Sequence, residues 1–264
     1  MLAMSKLEQA VGVPDEATIL ETGEPGPEVA ESGPAIVGDP FFDLQLTFNL
    51  FPALYAHPSW LVYKGDLRLA EGWRAVPPSS AFWVRRFSDA LLRKRALEKK
   101  FDFDFVDHAK RLALIDSRTL LMVGKWVATV LVRDRLRRIV RGGEVEAMQK
   151  AVSVDAHRFA LRWNGRVPTL PSKIHRVSDQ WPTNEAWMLR GAVLLSSALP
   201  KSSSIFGRLQ FKFPRRWSHA KLRLHLSEQE RSSLAGLFVD IIMAEFSEWA
   251  WLFGSESPGP EAVC

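Results

Sequence analysis

Across residues 79–163 the apolar side chains recur at helical spacing, and a run of that length commits a large part of the chain to packed helices. Trp83, Phe87, Leu91 and Leu97 fall near one stripe of the first predicted helix, which Ser79 or Ser80 would cap. Arg85, Arg86, Arg93 and Lys94 are spread around its other side. Residues 106–115 predict a short helix. A longer one starts at Asp116 or Ser117 and uses Leu120, Leu121, Gly124, Val127, Ala128 and Leu131. A basic amphipathic turn over 133–141 follows, with Gly142-Gly143 read as its C-terminal stop. Two more short helices fit 144–151 and 155–163. Phe101-Asp-Phe-Asp-Phe105 alternates like a short strand or serves as a linker.

Beyond a Pro-rich basic loop at 164–182, a helix fits 183–199, between Pro182 and Pro200. Ser227-Glu-Gln-Glu230 reads as a capping box, followed at helical spacing by Leu234, Leu237, Phe238, Ile241, Glu245 and Trp249. Three segments change to period two. In 42–50, Leu44, Leu46, Phe48 and Leu50 alternate with Gln45, Thr47 and Asn49. Leu209, Phe211 and Phe213 alternate with Arg208, Gln210 and Lys212, and Leu222, Leu224 and Leu226 with Lys221, Arg223 and His225. A hairpin through 214–220, joined by the first segment, would make a small antiparallel sheet. The expected fold class is therefore mainly α: a multi-helix domain with a small antiparallel β-sheet (α+β) and a disordered acidic N-terminal tail.

Charge divides the chain. Residues 1–40 hold one Lys, eight acids, five Pro, five Gly and no aromatic residue, a net charge of −7 against +12 for the rest. Such a segment cannot bury enough apolar surface to offset its ordering entropy, so 1–40 is expected to be a disordered acidic tail. Residues 41–253 are expected to form one domain, and 254–264 a second disordered tail. The single cysteine, Cys264, excludes an intramolecular disulfide and a cysteine-built zinc site. The longest nearly apolar run, 119–132, is 14 residues and contains Lys125, short of the ~20 that a spanning helix needs. Residues 1–19 carry one Lys and three acids and no apolar run, so no secretory signal is expected.

Catalytic chemistry leaves no pattern. A phosphate loop needs converging glycines before a Lys-Ser or Lys-Thr, and the only adjacent pair, Gly142-Gly143, lacks that context. His57, His108, His157, His175, His219 and His225 are scattered; Asp104 and His108, four apart, read as a surface pair on a helical turn. No Gly-x-Ser-x-Gly elbow is present. No catalytic residue, cofactor or metal is assigned, and no small-molecule substrate. Most of the ten tryptophans fall at apolar helix positions or beside prolines and read as packing. Trp217, in the basic loop Phe213-Pro-Arg-Arg-Trp217, is the exception and a contact candidate. The cluster Arg133, Arg135, Arg137, Arg138 and Arg141 could track phosphates or meet an acidic partner. No helix-turn-helix spacing or RNA-binding aromatic motif accompanies it.

Phe48-Asn-Leu-Phe-Pro-Ala-Leu-Tyr-Ala-His57-Pro-Ser-Trp60 resembles the N-terminal pattern of the SctK/YscK family, accessory proteins of the type III secretion sorting platform that include NolU-like proteins. Ala90-Leu91-Leu92 is similar to the family's early Leu-rich helix, and 120–139, with Leu136-Arg-Arg-Ile139, to its central helix pair. Residues 187–199, then Arg208-Leu-Gln-Phe-Lys-Phe-Pro214, are similar to its late helix and the strand after it. The resemblance covers about 42–250, and the order of the motifs carries it.

The resemblance implies a mainly helical, non-enzymatic cytoplasmic adaptor, held at the inner membrane through protein partners. Those partners would be the cytoplasmic domain of the SctD-type inner-membrane ring protein and the SctQ-type pod protein. Charge marks Arg85, Arg86, Arg93, Lys94, Arg137 and Arg138 as the expected contacts for the ring protein. The alternative is a nucleic-acid-binding module built on the 133–141 helix and the 214–217 loop.

Overall fold

Two helices cross so closely that a side chain on either glycine at the crossing would press on the backbone of the other helix. In this computed structural model, a Cβ on Gly191 would lie 2.3 Å from the carbonyl carbon of Gly124, and one on Gly124 would lie 3.0 Å from that of Gly191. The structure describes residues 38–61, 81–171, 174, 183–219 and 223–254. Among these it has eleven α-helices, several 3-10 turns and no β-strand. The crossing helices are α4 (Ser117–Val130) and α8 (Asn184–Ala198). Asp116 caps α4 by accepting from the amides of Arg118 and Thr119, and Thr183 caps α8 through the amide of Ala186.

The other helices of the bundle pack around this pair. α6 (Gly142–Val152) and α7 (Val154–Arg162) are joined at Ser153, whose left-handed backbone (φ 82°) lets its hydroxyl accept from Ala156. α7 lies on α4, where Trp126 stacks at 4.5 Å on Phe159, which meets Trp163 at 5.3 Å. The long α10 (Glu228–Glu245) covers α4 and α8. Ser227 and Glu230 close its N-terminus as the reciprocal capping box expected from the sequence. It ends at Glu245, so Trp249 falls on the separate short helix α11 (Ser247–Ala250). The Asp116 start, the 183–199 helix and the short helices at 144–151 and 155–163 agree with the sequence reading to within a few residues.

The expected sheet does not form. Residues 42–50 belong to α1 (Pro40–Leu50), which Asp39 caps and Pro40 opens. Phe41, Leu44 and Phe48 meet the main core from this helix, an i, i+3, i+7 set hidden inside the apparent alternation. Asn49, placed on the polar side of a strand by period two, is buried. Its amide donates to the Gln45 and Asp102 carbonyls at 3.0 and 2.7 Å and its oxygen accepts from Asp102 N–H at 3.0 Å. The second expected strand is α9 (Ser203–Leu209) running into a 3-10 turn, Gln210–Lys212. Arg208 and Lys212 of the polar set are buried along with Leu209, Phe211 and Phe213, and Gln210 is half-buried, so no solvent face exists to define a strand.

Of the third expected strand, 221–222 lies outside the described residues, as does position 220 of the expected hairpin loop. The rest has neither helix nor strand and bonds to a helix: Leu224 N–H donates to Ser197 Oγ at 2.8 Å. The Phe101 to Phe105 stretch is a linker without helix or strand, and α3 (His108–Arg111) with its following 3-10 turn occupies 108–114. Gly142-Gly143 opens α6 and does not stop the preceding helix. α5 (Arg133–Leu136) has already ended there, and the extended Arg141 offers its carbonyl to the amides of Glu144 and Val145. The proposed Ser79 or Ser80 cap lies outside the described residues. So do the two expected tails, except for 38–40 and Gly254, of which Pro40 already belongs to α1.

Candidate functional site

α2 (Ala81–Lys94) stands apart from the main bundle and packs on the 3-10 turn Pro52–Leu54. Its Leu91 and Leu92, with Leu97, Trp60 and Phe211, form a second small core. That core exists because 48–61 is fastened along 208–217. His57 N–H donates to Phe211 O at 2.7 Å, Trp60 Nε1–H to Phe213 O at 2.8 Å, and Arg215 N–H to Ser59 Oγ at 2.8 Å. Ser117 Oγ–H donates to Tyr55 O at 2.7 Å, and Ser88 Oγ accepts from Ala53 N–H at 3.2 Å. The motif that carried the family resemblance is thus mostly structural.

Two buried cations hold this junction from inside. Arg208 donates to the carbonyls of Asn49 at 3.1 Å, Lys100 at 2.6 Å and Leu97 at 3.1 Å, joining three segments far apart in sequence. Lys212, one turn further on, donates to Ile115 O and sits 5.0 Å from the Tyr55 ring centre and 5.6 Å from that of Phe48. Burial pushes its ammonium down to about 7, partly opposed by the field of Asp116. Burial holds the Tyr55 phenol above the usual tyrosine range, and its hydroxyl donates to Phe48 O at 2.9 Å. The sequence reading gave Arg208 and Lys212 no role beyond a strand's polar face.

On the outside of the junction the basic residues gather around Trp60. The Arg95 guanidinium lies 5.1 Å from the indole centre and that of Arg215 6.0 Å. Burial and the neighbouring Arg215 charge hold Arg95 below the usual arginine range. Lys94 is lowered by burial, then by Arg215 and Arg95. His57, at the same edge, is lowered by burial and then by Arg216. A cleft of about 130 Å³ opens beside them, lined by Trp60, Leu61, Phe87 and Leu91, with Arg86 and Lys94 at its rim.

Of the six residues expected as partner contacts, Arg85, Arg86, Arg93 and Lys94 are all exposed on α2, and two of them border this cleft. Arg137 and Arg138 are exposed on a different element, the turn after α5, which packs on α7; Arg137 reaches Leu161 O at 3.3 Å. Sequence reasoning missed Arg95 and Trp60. In the sequence the Arg215-Arg216 pair reads only as part of a basic loop. The signal is the Phe213-Pro-Arg-Arg-Trp217 stretch, but its aromatic residue is not the contact: Trp217 is buried and donates to Glu185 Oε1 at 3.2 Å. Arg216 pairs with the same carboxylate at 2.7 Å.

In the other basic stretch, Arg133 is drawn into the structure, donating to Trp163 O at 3.1 Å and Gly165 O at 3.4 Å. Asp104 does not pair with His108; it takes Lys110 at 2.9 Å, while His108 meets the Phe253 ring edge-on at 6.0 Å. Among the described residues no group of three or more His, Cys, Asp or Glu is placed to hold a metal ion. None of their helices is long and apolar enough to cross a membrane.

No curated protein and no solved structure matches the chain. A family model does: the one described as YOP proteins translocation protein K (YscK) matches residues 44–247. The matched span runs from the middle of α1 to the start of α11 and so includes the crossing helices, the capped α10 and the whole Trp60 junction. This chain belongs to the YscK family, which is the SctK family of type III secretion proteins, not a known enzyme family.

Proposed function

We propose that this protein is a non-enzymatic adaptor of the type III secretion sorting platform, joining the cytoplasmic domain of an SctD-type ring protein to an SctQ-type pod protein. The family match over 44–247 carries this reading. The chemistry of the body agrees with it. Three of its buried polar groups, Asn49, Arg208 and Lys212, bond to backbone carbonyls and act as internal ties between segments. Its charged surface is basic, suited to acidic protein faces, where charge complementarity sets encounter rate and specificity. In this role the protein is cytoplasmic and reaches the inner membrane through its partners.

The nucleic-acid reading loses two of its contacts, because Trp217 is buried and Arg133 is engaged with backbone carbonyls. A tagged pull-down from the native cells, with and without nuclease, separates the two. Recovery of the ring and pod proteins regardless of nuclease is expected. Partners recovered only through nucleic acid would overturn the adaptor reading.

A further inference from the structure

The cleft beside Trp60 has three properties that belong together. Its floor is apolar and rigid: Trp60 is buried and tied by its indole N–H to Phe213 O, and Phe87 and Leu91 come from a helix anchored through Ser88 to the 52–54 turn. Its volume of about 130 Å³ is well below the roughly 300–1,000 Å³ of small-molecule sites. That is room for one apolar side chain. Its surroundings are cationic, with Arg86 and Lys94 at the rim and Arg95 and Arg215 against the indole. None of the ion pairs among the described residues involves Arg86, Arg95 or Arg215. The single acid of α2, Asp89, does not line the cleft, and Glu185 is held by Arg216. Like charges have been brought together from α2 and from the 215–216 turn, more than 100 residues apart. Such a gathering is unfavourable in the free molecule and is relieved by an anionic partner.

We infer that this cleft docks an acidic segment of a partner protein, seating one large apolar side chain on Trp60, Phe87 and Leu91 while its carboxylates meet Arg86, Lys94, Arg95 and Arg215. The arrangement is that of an interface hot spot, an apolar anchor in a desolvated pocket ringed by complementary charge. A nucleic acid fits it less well. Base stacking needs an open aromatic face, and the Trp60 indole is 5% exposed with two guanidiniums already against it. The inference rests on the adaptor reading, and it names the surface through which one partner is held.

Position 90 suits a test, because Ala90 lines the cleft from an exposed site on α2. The full chain carrying the photo-crosslinking residue p-benzoylphenylalanine there is expressed in cells that have the secretion system. The crosslinked peptide is then sequenced by mass spectrometry. Expected is a segment of another protein with net negative charge, its yield falling about tenfold or more in Arg95→Glu/Arg215→Glu. Ala90→Glu, at an exposed helix position where folding is not in question, should displace the same segment from the unlabelled chain. An adduct to nucleic acid, to this chain itself or to a non-acidic segment would overturn the inference. No adduct, or one insensitive to charge reversal in a variant with a wild-type circular dichroism spectrum, would do the same. Recovery of the ring and pod proteins is scored in the same cells. If they are recovered while the cleft shows no acidic adduct, only the cleft fails; an acidic adduct without them means that the adaptor reading fails.

Discussion

Lys212 bears its amine in a site with one carbonyl, two aromatic faces and no carboxylate in contact. Its folded value near 7 lies well below the roughly 10.4 of a free lysine. Between those values the unfolded chain holds a proton that the folded molecule has released. Stability contributed by this group therefore rises as pH climbs from about 7 toward about 10.4, by at most ~1.4 kcal/mol per unit, and is flat below 7. Urea midpoints measured from about pH 7 to about pH 9 should rise in the wild type relative to Lys212→Met, which cannot titrate. Parallel pH profiles for the two proteins would refute the assignment. Nothing in the local sequence marks this lysine, because Arg208-Leu-Gln-Phe-Lys-Phe-Pro214 reads equally well as a strand with a basic outer face. Its burial depends on Phe48, Tyr55 and Ile115, all from segments about 100 or more residues away.

At the scale of elements, the helices legible in the sequence are those whose ends carry their own chemistry. Asp116, Thr183 and the Ser227/Glu230 box each satisfy amides locally, so their positions survive whatever the rest of the chain does. α1 had such a signal as well, Asp39 followed by Pro40, but over nine residues the alternating pattern masked it. What the sequence did not disclose is which helices touch. The contact of Gly124 with Gly191 is a tertiary fact, since either glycine alone is only a weak helix former. Gly191→Ala would push a methyl into the α4 backbone and force the two central helices apart. The expected loss is about 3 kcal/mol, a fall in thermal midpoint of roughly 10 °C. An alanine that left the midpoint within about 2 °C would mean that the crossing can relax at little cost.

Across the whole molecule, the basic surface is distributed. The cleft side carries Arg86, Lys94, Arg95 and Arg215, while Arg137 and Arg138 project from the turn that packs on α7. An adaptor needs separate faces for separate partners, and the two basic regions lie on different elements. Arg137→Glu/Arg138→Glu is expected to weaken recovery of the ring protein several-fold while leaving the circular dichroism spectrum unchanged. Quantitative pull-down checks this, and unaltered recovery would remove that turn from the interface. The comparison with Arg95→Glu/Arg215→Glu then assigns each face, because a rim charge acts through encounter and specificity and should affect only the partner it meets.

The mainly helical class, the caps of α4, α8 and α10 and the order of motifs that carries the family resemblance were set by the sequence alone. They depend on short-range physics: apolar spacing, cap hydroxyls and carboxylates, and prolines at helix starts. The tertiary structure alone decided that period-two stretches would become helix and turn, that Trp217 would be buried, and that Arg95 and Arg215 would meet over Trp60. Those outcomes turn on which distant segments supply carbonyls and apolar surface. A buried Arg208 is tolerable only where two distant stretches of backbone, at Asn49 and at Leu97 to Lys100, converge on it, and the residues around Arg208 carry no trace of that convergence.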